Sequence, residues 1–267
     1  QLIIFLITAS NNITFFEKLA PNHYQYKKNT IRKCKRNGIN LVLDISDYLQ
    51  HYIYFKFKDL SLNKLINIIK PGDIVIDVGG NIGFVAMSIY KKMNGRVIIH
   101  SFEPDNTNYT KFEQLLKINP DIKINLNKVA LGEDKYFAPL VMPTPDNRGG
   151  IRINKNINHI KEKISVVTLD EYVKQNNIQL INVIKVDVEG FEYNVLKGAS
   201  YTIKKFHPIL FIEWDNSNLK QQGVSIFILY DFLKKFNYKI IDIIKSEEIT
   251  NENINEYTNI HTDVICI

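Results

Sequence analysis

The chain has 267 residues, of which 45% are hydrophobic, 23% charged and 11% aromatic, a mix that excludes a disordered, collagenous or disulfide-stapled protein. Thirty-four Lys and Arg against 28 Asp and Glu leave a net charge of +6, a mild excess compatible with nucleic acid, an anionic surface or simply a basic exterior. One αβ domain of about 200 residues with a smaller appendage is the expectation, because single cores stop growing near about 250–300 residues.

Cys34 and Cys266 lie near opposite ends, without the paired spacing of a zinc site or a disulfide framework, and point to a reducing, cytoplasmic setting. The first apolar run, Leu2 to Ile7, is far short of the roughly 18 residues that span a bilayer, so no membrane span is expected. A start at Gln1 rather than Met leaves room for an attached upstream domain.

Residues 1–58 read as an N-terminal appendage. A basic stretch, Lys27, Lys28, Arg32, Lys33, Lys35 and Arg36, precedes two alternating segments, Ile39–Asp44 and Tyr52–Phe57, and this period-two pattern predicts a β-hairpin. In a Lys-rich chain the basic stretch reads first as a solvated face and second as a polyanion site. From Asp59 the main domain, residues 59–267, begins with Leu60, Leu62, Leu65, Ile66 and Ile69 at helical spacing, ended by Pro71-Gly72.

A buried strand, Ile74–Val78, then runs into Gly79-Gly80-Asn81-Ile82-Gly83 and a helix from Phe84 to Met93. A strand at Arg96–Phe102, a helix at Asn106–Ile118 and a third strand at Ile122–Leu131 follow. Such alternation predicts an α/β fold, a mostly parallel sheet with helices on both faces. Residues 132–165, with Pro139, Pro143, Pro145, Gly149 and Gly150, read as an irregular insertion over the sheet's carboxyl edge. Thereafter helices are expected at 168–175, 191–205 and 225–236, and strands at 181–188, 209–214, 238–244 and 262–267.

The segment Val75-Ile-Asp-Val-Gly-Gly-Asn-Ile-Gly-Phe84 carries the first chemistry. Gly79 and Gly83 let the backbone turn tightly and bring a helix N-terminus up to a ligand. A dinucleotide fingerprint needs Gly-x-Gly-x-x-Gly, and Asn81 occupies its second glycine position. This turn followed by Ser101-Phe-Glu-Pro104 suits S-adenosylmethionine: Glu103 at the next strand end can accept hydrogen bonds from both ribose hydroxyls. Asp77 would face the cofactor's cationic amino end, and Asn81 with helix N–H groups would receive its carboxylate.

With Val129-Ala-Leu-Gly132 and Ile184-Lys-Val-Asp-Val-Glu-Gly-Phe-Glu192 followed by Val195-Leu-Lys-Gly-Ala199, these segments resemble the FkbM family of class I S-adenosylmethionine-dependent methyltransferases. The resemblance covers residues 71–215 well, and the stretch from Asn37 to Phe57 is similar to the segment before the family's catalytic domain. It implies a Rossmann-like, seven-stranded sheet in the order 3-2-1-4-5-7-6 with the last strand antiparallel. It also implies methyl transfer to an oxygen of a sugar or other small molecule. By matching position, Asp77, Gly79, Asn81, Glu103 and Ala130 would line the cofactor, beside Gly83 of the turn, with Phe102 and Pro104 near adenine and ribose.

In Lys185-Val-Asp-Val-Glu-Gly190 an apolar run acquires Asp187 and Glu189 at its carboxyl end, two residues apart and so on one side of the strand, where ligands bind in open αβ sheets. These two are the candidate catalytic residues, able to take the proton of an acceptor hydroxyl. Glu192 reads as a helix-surface charge or a partner of theirs. The next strand ends in Glu213-Trp214-Asp215, so Asp187, Glu189, Glu213 and Asp215 could alternatively hold Mg2+ or Mn2+ through oxygen ligands; the competing reading pairs them with helix N-termini, Lys185 or Arg148. Asn147, Arg148 and Glu213 are the candidate acceptor-binding residues, with Asp146–Gly150 as a lid. His100, His207 and His261 read as structural.

The expected function is S-adenosylmethionine-dependent O-methylation of a sugar, glycan or other small molecule, without a DNA partner. An NAD-dependent oxidoreductase and a basic RNA-binding or RNA-modifying protein are the alternatives.

Overall fold

The computed structural model describes residues 20–57, 59–142, 147–153 and 163–267. It opens with a hairpin, β1 (Ile31–Arg36) and β2 (Ile39–Asp44), closed by Asn37 at φ 48° and Gly38 at φ 78°. Two positive φ values define the tight turn that matches strand twist, and Asn-Gly is its preferred sequence. The expected partner of Ile39–Asp44 is therefore corrected. It is the basic stretch, while Tyr52–Phe57 falls in and just beyond helix α1 (Tyr48–Phe55), started by the Asp47 carboxylate accepting from Gln50 N at 3.0 Å. Ile39, Leu41 and Leu43 point inward, and they pack in one cluster with Ile53, Leu65, Val75, Met87 and Phe112.

Helix α2 (Leu60–Ile68) leads to β3 (Ile74–Val78), α3 (Phe84–Lys92), β4 (Ile98–Phe102), α4 (Asn106–Lys117) and β5 (Asn125–Asn127). The chain then makes β6 (Ala130–Leu131), β7 (Tyr136–Val141), β8 (Arg152–Ile153) and β9 (Lys163–Val167), followed by α5 (Leu169–Gln175) and β10 (Val183–Val186). Helices α6 (Glu192–Lys197) and α7 (Ser200–Phe206), strand β11 (Ile209–Asp215), helices α8 (Asn216–Gln221) and α9 (Ile226–Lys235), and strands β12 (Ile240–Asp242) and β13 (His261–Cys266) complete it.

The main sheet runs β5-β4-β3-β10-β11-β13-β12, which is 3-2-1-4-5-7-6 when its strands are counted in chain order. Strands β5, β4, β3, β10 and β11 are mutually parallel, and β13 is antiparallel to both neighbours. The pleat sends successive residues to opposite faces: Val75 joins the hairpin, α2, α3 and α4, whereas Ile76 joins the cluster of α5, α6, α7 and α9.

Three sequence expectations change. The single strand expected at 122–131 is two short ones in different sheets. The helix expected at 191–205 breaks at Gly198-Ala199, where the chain packs so closely on Gly132 that a Cβ on Gly198 would lie 1.8 Å from Gly132 O. The insertion is ordered where described: β6, β9, β7 and β8 form a second, four-stranded sheet. Pro143, Pro145 and Asp146 lie outside the described residues.

Both cysteines are free thiols, Cys266 buried and Cys34 half-buried. Among the described residues no helix is long and apolar enough to cross a membrane.

Candidate active site

A cavity of about 570 Å³ opens at the carboxyl ends of β3, β4 and β10. That is where an open αβ sheet reverses its strand order and leaves a crevice. Its walls come from the glycine turn, from the second sheet through Ala130, Leu140 and Ile153, and from the segment between α1 and α2.

The glycine turn is fixed by close packing. Gly79 has φ 83°, and a Cβ there would lie 1.9 Å from the Asp187 carbonyl oxygen, so only glycine lets the turns after β3 and β10 touch. Gly83, at φ 85°, fits against the Phe112 ring, which an added Cβ would meet at 2.1 Å. Gly83 does not line the cavity, so its expected cofactor contact becomes a helix-packing role.

Gly79, Asn81, Phe102, Glu103, Pro104 and Ala130 do line it. Glu103 is 5% exposed; Oε2 accepts from Asn81 N at 2.7 Å and Oε1 from Asp105 N at 2.8 Å. Burial pushes its carboxyl up to about 8, against the opposing pull of those two backbone donors. Asn81 holds φ 48° and accepts from Ile82 N through its own side chain at 2.7 Å.

Asp77 is corrected. It is fully buried beneath the turn and absent from the cavity wall, accepting from Ser101 Oγ at 2.6 Å and facing Lys185 Nζ at 3.4 Å. Its place on β3 opposite Lys185 of β10 makes it an internal counter-ion rather than a ligand for a cofactor's amino group.

Asp187 and Glu189 stand at the other end of the cavity. Lys185 Nζ lies 3.3 Å from Asp187 Oδ2, and Asn218 donates to Glu189 Oε2 at 3.1 Å. Glu189 sits at φ 55°, a left-handed conformation uncommon outside glycine and one that recurs at functional turns. Burial first, and the Asp187 charge second, raise its carboxyl to about 7. Glu192 is 1% exposed, not a surface charge, and holds this turn by accepting from Val188 N at 3.0 Å and Gly190 N at 3.1 Å.

Oxygens of Asp187, Glu189 and Glu213 come within 4.8 Å of one another. Asp215 stands outside this group: it caps α8 by accepting from Asn218 N at 3.0 Å and pairs with His261 at 3.1 Å. Glu213 is 6% exposed and does not line the cavity, so it is no direct acceptor ligand. Burial and then Asp187 hold its carboxyl well above the ordinary range.

The lid expectation is corrected in part. Asn147 and Arg148 line the cavity, but both are committed. Asn147 Oδ1 accepts from Gly149 N at 3.0 Å, Arg148 N donates to Asp47 at 3.2 Å, and the Arg148 guanidinium donates to both Asp105 oxygens at 2.9 and 3.1 Å. The N-caps of α1 and α4 thus clasp this turn beside Glu103.

Sequence reasoning missed Asp59 and Ser61 at the start of α2, Arg152 of β8 and Asp263 of β13, all on the cavity wall. Ser61 donates to Asp263, whose carboxyl burial raises to about 6. An acid directly ahead of the apolar run Val264-Ile-Cys266 was the available signal.

A glycine turn, a strand-end Glu and paired carboxylates across one crevice define an α/β enzyme of the nucleoside-cofactor type. The profile of the Methyltransferase FkbM domain matches residues 77–240, and the chain belongs to that family. A hexuronic acid methyltransferase, AglP, of Haloferax volcanii is 26% identical over 148 residues, covering 55% of this chain and 58% of its own. The 2-O-methyltransferase NoeI of Sinorhizobium fredii is 24% identical over 184 residues, 62% of this chain and 73% of its own. The crystal structure of an FkbM methyltransferase from Methylobacillus flagellatus KT superposes with a TM-score of 0.55 at 16% identity, covering 82% of this chain and 52% of the other. The chain thus spans little more than half the length of two of these proteins. It is a methyltransferase by family, and the residues around Glu103 fit an S-adenosyl cofactor: a strand-end carboxyl, a glycine turn on the cavity wall and an apolar wall of Phe102, Ala130 and Leu131.

Proposed function

We propose that this protein transfers a methyl group from S-adenosylmethionine to a hydroxyl of a sugar or glycan. The observation that carries the reading is the continuity of one cavity from Glu103 and the glycine turn to Asp187 and Glu189. The family supports the cofactor, and the names of two relatives support oxygen as the atom methylated and a sugar acid as the acceptor class.

When bound, S-adenosylmethionine supplies an electrophilic methyl group on a sulfonium. Glu103 would hold the ribose hydroxyls, Gly79 and Asn81 the amino-acid end, and Phe102 with Ala130 the adenine. Glu189 is the proton acceptor for the acceptor hydroxyl: it lines the cavity, and a carboxyl near pH 7 is well matched to a general base. Asp187, on the same stretch of cavity wall, orients the hydroxyl. Holding both reactants in one crevice contributes up to about 7–11 kcal/mol in favourable models. Lys185 supplies the cation that Asp187 faces, so this mechanism requires no divalent ion.

The test is a product screen with labelled methyl donor over hexuronic acids, nucleotide sugars and RNA, alongside calorimetric titration with S-adenosylmethionine and NAD. Label on a sugar oxygen is expected. Tight NAD binding without a response to the methyl donor would sink the reading.

A further inference from the structure

Lys185 is a lysine inside a run of buried apolar residues, Val183, Ile184 and Val186, on a central strand. Its side chain is 5% exposed. Burial alone would push the ammonium down, yet Asp187 and Asp77 hold it above the ordinary lysine value. The ammonium donates to Gly79 O at 2.9 Å and Val78 O at 3.4 Å, and lies 3.4 Å from Asp77 Oδ1 and 3.3 Å from Asp187 Oδ2. Three N–H donors thus serve oxygens from both turns that bound the cavity floor.

Neutralising Asp77 does not account for this arrangement. Asp187 has a side chain 49% exposed, so water can solvate it and it needs no buried partner. Asp187 N also donates to Val78 O at 3.2 Å, and Gly79 leaves no room for a Cβ against Asp187 O. The two turns therefore meet along their backbones, and the ammonium closes the junction from below.

We propose that Lys185 is a positioning residue that locks the glycine turn to the Asp187–Gly190 turn, so that order imposed by a cofactor at the first is transmitted to the carboxylates at the second. The lock works through fixed geometry: one short cation, seated on the Gly79 carbonyl, sets where the Asp187 carboxylate lies. This rests on the reading of the cavity as a methyl-donor site.

The test uses S-adenosylhomocysteine as probe, with calorimetry for affinity and hydrogen–deuterium exchange for order. In the wild-type protein the probe is expected to slow exchange at residues 79–83 and 187–190 together. Lys185→Met combined with Asp77→Asn removes the lock without leaving Asp77 charged and buried. That variant is expected to bind the probe within about threefold of wild type, a difference of about 0.7 kcal/mol, and to keep protection at 79–83 while losing it at 187–190. A merely structural lysine predicts that the folded double variant keeps both.

Should the double variant not fold, Lys185→Arg carries the same test, because a planar guanidinium cannot seat on the same four oxygens as a compact ammonium. It too is expected to uncouple the turns. Coupled protection in either folded variant overturns the Lys185 proposal alone. Failure of the wild-type protein to bind the probe overturns the functional reading and this proposal with it.

Discussion

At one end of the cavity Glu103 has both carboxylate oxygens held by backbone N–H groups, those of Asn81 and Asp105. At the other, Asp187 and Glu189 lean on side chains, Lys185 and Asn218, and share their surroundings with Glu213 and Asp263 from two further strands. Backbone donors are set by the local turn, so the end at Glu103, proposed for the cofactor, is built from short stretches of chain. The end at Asp187 and Glu189, proposed for the acceptor, exists only once β10, β11, β13 and α2 have assembled. The two ends should therefore fail separately, except where they touch.

They touch at Gly79, and the largest effect is expected there. Gly79→Ala places a Cβ against Asp187 O at a positive φ, and the strain must push the turns apart. Denaturant unfolding should show a loss of about 2–4 kcal/mol, in the range of backbone strain at a special position, with binding of the methyl donor and turnover lost together. A variant within about 0.5 kcal/mol of wild type would mean the turns are not in contact.

Glu189→Gln should break the acceptor end alone. Removing a general base typically lowers turnover about 10²- to 10⁴-fold. Calorimetry should find affinity for S-adenosylhomocysteine unchanged, because Glu103 and the glycine turn are untouched. Turnover within about threefold of wild type would remove Glu189 from the mechanism.

Glu103→Ala should break the cofactor end alone, weakening the methyl donor by about 1–3 kcal/mol, roughly 5- to 150-fold, the range for leaving buried polar groups without a partner. The same carboxyl makes a pH prediction. Its value lies near 8 in the folded protein against an ordinary 4.5; Glu189 and Glu192 lie near 7 and Asp263 near 6. Each binds its proton more tightly folded than unfolded, so stability is lost as pH rises from the ordinary carboxylate range through the folded values. The unfolding temperature should fall from pH 5 to pH 8, and Glu103→Gln should flatten the upper part of that fall. A temperature that rises over this range would contradict the burial of these acids.

This division also explains what the sequence disclosed. Gly79, Asn81 and Glu103 belong to contiguous segments in which spacing encodes geometry, so their place on the cavity wall was legible. The alternation of strands and helices disclosed the mostly parallel sheet, and the sheet order came from the family resemblance alone. Asp77 was misplaced because a strand-end acid reads the same whether it faces a ligand or a buried Lys185 in the next strand, and that neighbour is 108 residues away. That Arg148 is held in place was not legible, because its partners are N-caps, Asp47 and Asp105, of two distant helices. The Asn37-Gly38 turn was in plain view, but the aromatic run from Tyr52 outweighed it; that run instead enters the short helix that Asp47 caps.

The smallest effect is expected where the net charge first suggested a polyanion site. In β1 Lys33 and Lys35 are exposed on one face; on the other Arg32 is exposed too, while Arg36 is 8% exposed and donates to the Ile53 carbonyl at 3.3 Å and to that of Tyr54, at the end of α1. A guanidinium on the last carbonyls of a helix is a capping contact; exposed lysines on a hairpin face contribute little to a fold. Lys33→Ser with Lys35→Ser should therefore shift stability by less than about 0.5 kcal/mol and leave S-adenosylhomocysteine affinity unchanged. Filter binding to labelled RNA at low and high salt is the check that discriminates. Salt-sensitive binding by the wild type that the double variant loses would give this face the phosphate contacts that the cavity, with its Asp187 and Glu189 end, does not require.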